Sequence, residues 1–282
     1  DISTNTYISL EALSAHKDLL LDHPKSNLSP NKFLELALRE SVTKYDSETQ
    51  KHVTDSEKIK LQSALIKCSL DRGAVINADL QNISLEALSA HKDLLLNHPK
   101  NNLSPDKFLE IVLKASITTW NSDAQKSVID PEKIKLQDTL IGHALDHGAA
   151  INTDADEQNI SLEALSAHKD LLLEHPTNSL DASTFLFLVL EQKNRWSSYS
   201  NDTPKQVLER NSEKILLIKS LAKYAIDKGA DLNTKDSSEE FALTLFEQLF
   251  VSNMFDIIDY VQNKNENSYP EPSMVAWIAA ID

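Results

Sequence analysis

Residues 8–21 read ISLEALSAHKDLLL, and the same fourteen residues return at 83–96 and at 160–173. The stretch is helical by its spacing. Leu10, Leu13 and Leu20 recur at intervals of three and seven, one and two helical turns, and nothing in it alternates as a strand would. Ser9 is a good N-cap, and Ile8 and Leu13 occupy the two hydrophobic-staple positions around it. Pro24 ends the segment, because proline has no N–H to donate and disfavours helical geometry at His23.

Working outward from this stretch, residues 8–77 align without gaps on 83–152, and a third copy begins at Ile160. A second helix opens at Ser29-Pro30, an N-cap with proline at the first helical position, and is stapled by Leu28 and Phe33. The later copies repeat this with Leu103, Ser104, Pro105 and Phe108, and with Leu180, Asp181 and Phe185. A third helix is expected from Asp55, Asp130 and Asn211. It should end at Gly73, Gly148 and Gly229, where a helix needs a left-handed residue after its C-cap. A short extra helix is expected between the second and third, most clearly at TPKQVLER (Thr203–Arg210). No alternating β-branched run and no Asn-Gly or Asp-Gly turn signals a strand.

The expectation is therefore an all-α fold. It would be a right-handed α-solenoid of three tandem units of roughly 75 to 80 residues, each burying its neighbour's apolar face. The boundaries read as 1–82, 83–159 and 160–235, followed by 236–282 as capping helices. The last segment contains FALTLFEQLFVSNMFDIIDYV (Phe241–Val261), which is the most apolar stretch and has no copy elsewhere. A solenoid must close its open end, so a cap is the natural role, with a docking or oligomerisation helix as the alternative.

LIKCSLDRGAVIN (Leu65–Asn77), LIGHALDHGAAIN (Leu140–Asn152) and LAKYAIDKGADLN (Leu221–Asn233) each resemble the second helix and turn of an ankyrin repeat. The resemblance covers about 13 residues of each unit, the ankyrin TPLH opening is missing, and the units are more than twice as long. What it implies is a stacked helix ending in a glycine turn. The low-glycine, Lys/Asn/Ile-rich style with long repeats is also similar to helical-repeat effectors of intracellular bacteria such as Legionella. That likeness implies a partner-binding role inside a host cell, or control of another effector.

Composition narrows the classes. A net charge of −15 repels phosphate backbones and anionic lipid heads, so neither nucleic acid nor a membrane is expected as a partner. A basic protein surface fits better. The one cysteine, Cys68, forms no intrachain disulfide, which suits a reducing, cytoplasmic setting or a host cytosol. No apolar run reaches the ~20 residues of a membrane span, and no signal peptide is visible. A chain opening on Asp1 reads as a piece of a longer one.

The repeated stretch carries an acidic edge. At 100° per residue, Glu11, Ser14, Asp18 and Asp22 fall within about 80° of one another. The first three recur unchanged as Glu86, Ser89 and Asp93 and as Glu163, Ser166 and Asp170, whereas position 22 becomes Asn97 and Glu174. A shared packing site explains fixed leucines but not a fixed polar edge. Three explanations stand: a basic partner bound by all three copies, ion pairs with a neighbouring unit, or recent duplication.

Other chemistry is weak. His16 and His23 recur as His91/His98 and His168/His175, about 10.5 Å apart along the helix, too far to share one metal ion. They read as packed histidines at unit interfaces. His143 and His147 have metal-ligand spacing but no third ligand near them in sequence. No nucleophile elbow, zinc-protease helix, dinucleotide fingerprint or phosphate loop is present. No cofactor is expected and no catalytic residue is assigned. The expected function is a protein–protein interaction module, a scaffold or regulator, that binds a basic partner through Glu11, Ser14, Asp18, Glu86, Ser89, Asp93, Glu163, Ser166 and Asp170. The alternative is a helical enzyme or small-ligand binder with a site formed between units.

Overall fold

The structure is a computed structural model describing residues 8–23, 28–48, 51–76, 83–100, 103–121, 125–150, 160–176, 180–194, 204–235, 243–251 and 254–264. Two compact units divide the chain, 1–149 and 150–282. The first contains α1 (Leu10–Asp22), α2 (Pro30–Arg39), β1 (Thr43–Asp46), β2 (Lys51–Thr54) and α3 (Ser56–Asp71). The series then repeats as α4 (Leu85–Asn97), α5 (Pro105–Lys114), β3 (Thr118–Asn121), β4 (Lys126–Ile129) and α6 (Pro131–Asp146). The second unit contains α7 (Leu162–Glu174), α8 (Ala182–Asn194), α9 (Pro204–Asp227), α10 (Leu245–Val251) and α11 (Phe255–Lys264). The described residues are thus predominantly helical.

The expected caps form. The hydroxyls of Ser9, Ser84 and Ser161 accept from the backbone N–H three residues on, at 3.3, 3.1 and 3.1 Å. Ser29 and Ser104 do the same for α2 and α5, while Asp181 accepts from Ser183 N and Thr184 N ahead of α8. Each satisfies amide groups that the first helical turn leaves without a partner. Phe33, Phe108 and Phe185 are fully buried, one at the centre of each repeat. Around Phe33 stand Leu10, Leu13, Leu28, Leu36 and Leu65, so all three helices of the repeat share one core.

The third helices end alike. Ala74 N donates to Ser69 O, and Gly73 N to Leu70 O, which is the pairing of a Schellman cap. The same two bonds recur at Gly148 and Gly229, and the three glycines have φ of +85°, +84° and +92°.

Two sequence expectations fail between the second and third helices. In the first two repeats no extra helix forms; a two-stranded antiparallel hairpin takes its place, pairing Thr43 with Thr54 and Thr118 with Ile129. The fold is therefore not purely α-helical. The strands are only four residues long and rich in Thr, Val and Ile, too short for alternation to declare itself. They are held from outside: Asp55 N donates to Val42 O, and Lys58 Nζ to Thr43 O at 3.2 Å; Asp130 and Lys133 repeat both bonds. In the third repeat Pro204 does open a helix, but α9 runs unbroken to Asp227, so Asn211 lies inside it rather than at its start. No glycine or second proline interrupts it.

The tail supplies two helices. α10 packs on α8 and α11 on α9, burying Leu245, Leu249, Met254, Ile257 and Val261. Lys219 pairs with Asp256 at 2.9 Å, and Tyr260 donates to Asp227 at 2.6 Å. The MVAWIAAID segment, like Trp196, lies outside the described residues.

The glycines make a paired test. An added Cβ meets nothing within 4 Å at either Gly73 or Gly142, so only backbone conformation separates them. Gly73→Ala is expected to lower the unfolding free energy by about 1–2 kcal/mol, because it forces an L-residue into left-handed geometry. Gly142→Ala, inside α6, is expected to raise it by about 0.5–1 kcal/mol. Urea denaturation of the two variants reads both signs.

Candidate functional site

The acidic edge is real but divided. Glu11 is exposed in the first turn of α1, where its own backbone N–H and the Ser9 hydroxyl hold its carboxyl below the usual range. Glu86 and Glu163 are half-buried at the matching places, and Ser14, Ser89 and Ser166 are half-buried beside them. The aspartates face the third helix of their own repeat. Arg72 Nη2 lies 3.1 Å from Asp18 and 2.7 Å from Asp22. His143 Nε2 is 3.4 Å from Asp93. Asp170 accepts from the Tyr224 hydroxyl, and Glu174 from Lys228 Nζ.

The partners therefore sit within each repeat, not in the neighbouring one that one of the three explanations invoked. Their chemistry changes in step. Asp22 opposes Arg72 and Glu174 opposes Lys228, while the second repeat has Asn97 and His147 at those positions. Only the aspartate is constant, and its partner changes from Arg72 through His143 to Tyr224. Arg72 holds the Asp22 carboxyl below its usual range, and the Tyr224 hydroxyl does the same to Asp170. Burial first, then the bond to Asp170, pushes the Tyr224 phenol up to about 12. Burial first, with His147 and Lys92 nearby, lowers His143 from the usual imidazole value. The covariation of position 22 with position 72 was present in the sequence and could have revealed the pairing.

The clasps leave the aspartates accessible. The side chains of Asp18, Asp93 and Asp170 are 70, 74 and 67% exposed, nearly the same in all three copies. Exposed pairs of this kind add little stability, so the clasp does not consume the carboxylates.

A second polar site lies where α3 meets α4, and sequence reasoning missed half of it. Gln62 is wholly buried in α3. Its amide nitrogen donates to Ala37 O at 2.6 Å and Glu40 O at 2.9 Å, at the end of α2. With both N–H groups committed, Gln62 Oε1 can only accept, and His91 Nε2 lies 2.6 Å from it. The imidazole of α4 is therefore the Nε2–H tautomer, and its Nδ1 accepts from Ser63 Oγ at 3.1 Å. The signal was available: Gln62 recurs as Gln137, and with Gly73 set on Gly229 it becomes Ile218. In that third repeat α8 runs on past Gln192, the counterpart of Glu40, and needs no side chain to cap it there.

The repeated histidines divide by place. His91 and His168 are 2 and 1% exposed, whereas His16 is exposed. His98 is also buried, 3.4 Å from Asp71. Among the described residues no group of three or more His, Cys, Asp or Glu side chains could hold a metal ion, and no helix is long and apolar enough to cross a membrane.

Two tests follow from these contacts. Burial pushes the His91 imidazole down to about 4 from 6.5. The folded state thus binds fewer protons than the unfolded one, so this stabilisation is whole above about pH 6.5 and is lost as pH falls toward about 4. The urea midpoint is expected to drop more steeply between pH 7 and 5 in the native chain than in His91→Asn; equal slopes contradict it. Gln62→Leu strands two carbonyls and a ring N–H, at about 1–3 kcal/mol for each group left bare, and is expected to be far more costly than Ser63→Ala. For the clasp, Arg72→Asp is expected to lower the melting temperature, and adding Asp18→Lys with Asp22→Lys to recover most of the loss.

Protein-family models, curated proteins and solved structures give no match to the chain.

Proposed function

We propose that the protein is a non-catalytic interaction module: an α-solenoid whose repeats present one carboxylate three times to a basic protein partner. The observation that carries the reading is the near-equal exposure of Asp18, Asp93 and Asp170 beside a third helix that differs in every copy. Packing does not require an aspartate there, since its partners range over a guanidinium, an imidazole and a phenol. A partner that reads the aspartate itself explains the constancy. Glu11, Glu86 and Glu163 lie one to two turns away on the same edge and extend the acidic field, and Ser14, Ser89 and Ser166 add hydroxyls between them.

The solenoid part rests on the junction of the first two repeats. There α3 of one repeat carries α4 of the next through a buried hydrogen-bond network, and the residue types recur as Gln137 and His168. The net charge of −15 supports a basic partner over an acidic one, and speeds its approach at low salt. The likeness to bacterial effectors suggests a host protein, or another effector, as that partner.

The test is affinity capture from cytosol with partners identified by mass spectrometry. The native chain runs beside a variant with Asp18→Asn, Asp93→Asn, Asp170→Asn, Glu11→Gln, Glu86→Gln and Glu163→Gln. These isosteric changes remove charge without reversing it, so helicity by circular dichroism is expected to hold. A basic partner lost from the folded variant, and released from the native chain by raised salt, supports the reading. A partner retained by both overturns it and moves the site off the acidic edge.

A further inference from the structure

The three copies of ISLEALSAHKDLLL are identical in sequence and unequal in surroundings. On α4 the ridge Ala87, His91 and Leu95 is buried, and α3 lies against that helix. On α7 the same ridge, Ala164, His168 and Leu172, is again buried. On α1 the matching Ala12 and Leu20 are only half-buried and His16 is exposed, although every side chain is the same; Leu19 beside them is 59% exposed, where Leu94 and Leu171 are half-buried. An imidazole that is buried twice in this chain is exposed once.

We propose that this face of α1 is a docking surface for one kind of partner: a further helical repeat of the same class, presented through a third helix like α3. The occupant is specified by what covers the identical face of α4. It must bring a glutamine whose amide nitrogen is tied up by the end of its own second helix, leaving Oε1 to accept from His16 Nε2–H. A small hydroxyl residue beside it, as Ser63 stands beside Gln62, would donate to the other ring nitrogen. Ala12 and Leu20, with Leu19 beside them, supply the apolar ground on which such a helix lies. The third helix of the last repeat is not such an occupant. It has Ile218 and Lys219 at the two positions, Ile218 is buried, and Lys219 pairs with Asp256 of α11. That helix is covered, and it lacks the acceptor.

The test adds the missing neighbour. A copy of residues 8–82 is joined ahead of Ile8, so that Asn82 precedes Ile8 as it precedes Ile83 in the native chain. Diethyl pyrocarbonate labels accessible imidazoles, and tryptic peptides distinguish His16, His91 and His168 in the native chain; in the extensions Asp79→Glu in the added copy, or Asp156→Glu where residues 83–159 are added, gives the original His16 a peptide mass of its own. In the native chain His16 is expected to react at least tenfold faster than His91. In the extended chain the original His16 becomes as protected as His91, while the added copy's own histidine stays reactive, and the melting temperature rises. The glutamine-to-leucine change at the Gln62 position of the added copy is expected to restore His16 reactivity. A second extension, with residues 83–159 as the added copy, guards against a poor join. The proposal is overturned if His16 stays reactive in both folded extensions, or if neither extension folds. It is also overturned if His16 of the native chain is already protected in a dimer seen by sedimentation, since a second copy would then be the occupant.

Discussion

The hydrogen bond from His91 Nε2 to Gln62 Oε1 is the constraint on which the first unit depends. It is short, buried, and shared by three structural duties. The same glutamine closes the end of α2, fixes α3 against it, and receives the first helix of the next repeat. A buried amide with all its bonds made is safe; with one missing it is costly, because the low local dielectric magnifies what is left unpaired. The glutamine therefore ties the early stop of α2, the hairpin that follows it, and the arrival of α4 into one cooperative arrangement. Where α8 runs longer, an isoleucine stands in the glutamine's place.

Much of this was legible from residue types. Caps at Ser9, Ser29 and Asp181, staples at Leu28/Phe33, and the glycine ends at Gly73, Gly148 and Gly229 are local signals, and local signals survive folding unchanged. The hairpins were not legible. Four-residue strands such as Thr43–Asp46 have little periodicity, and they form because Asp55 and Lys58 of the next helix hold them in place, which is a tertiary cause. The continuous α9 was misread for the opposite reason: Thr203-Pro204 is a fair helix start, but nothing after it stops the helix before Gly229. The histidines were read as packed at interfaces, which holds for His91 and describes His16 poorly. An identical sequence cannot say which copy has a neighbour.

The acidic edge was visible as a pattern, and its pairing was not. Helical phase places Glu11, Ser14 and Asp18 on one side of α1, yet it is silent on what lies across from them some fifty residues later. The observed clasps are exposed and weak, and their cationic halves have drifted through arginine, histidine and lysine. That drift is what a contact of small energetic weight allows. The aspartate has not drifted with its partners, so the clasp orients a side chain whose constancy has another origin.

The account's central claim is that the first two repeats are joined through a neutral, buried imidazole held as the Nε2–H tautomer. Nitrogen-15 NMR of the histidine rings at pH 6 tests it most directly. The account predicts that the His91 Nε2 proton exchanges slowly and correlates with a single fixed tautomer, lost on Gln62→Leu. A His91 ring that averages between tautomers, or that is protonated at that pH, would contradict it.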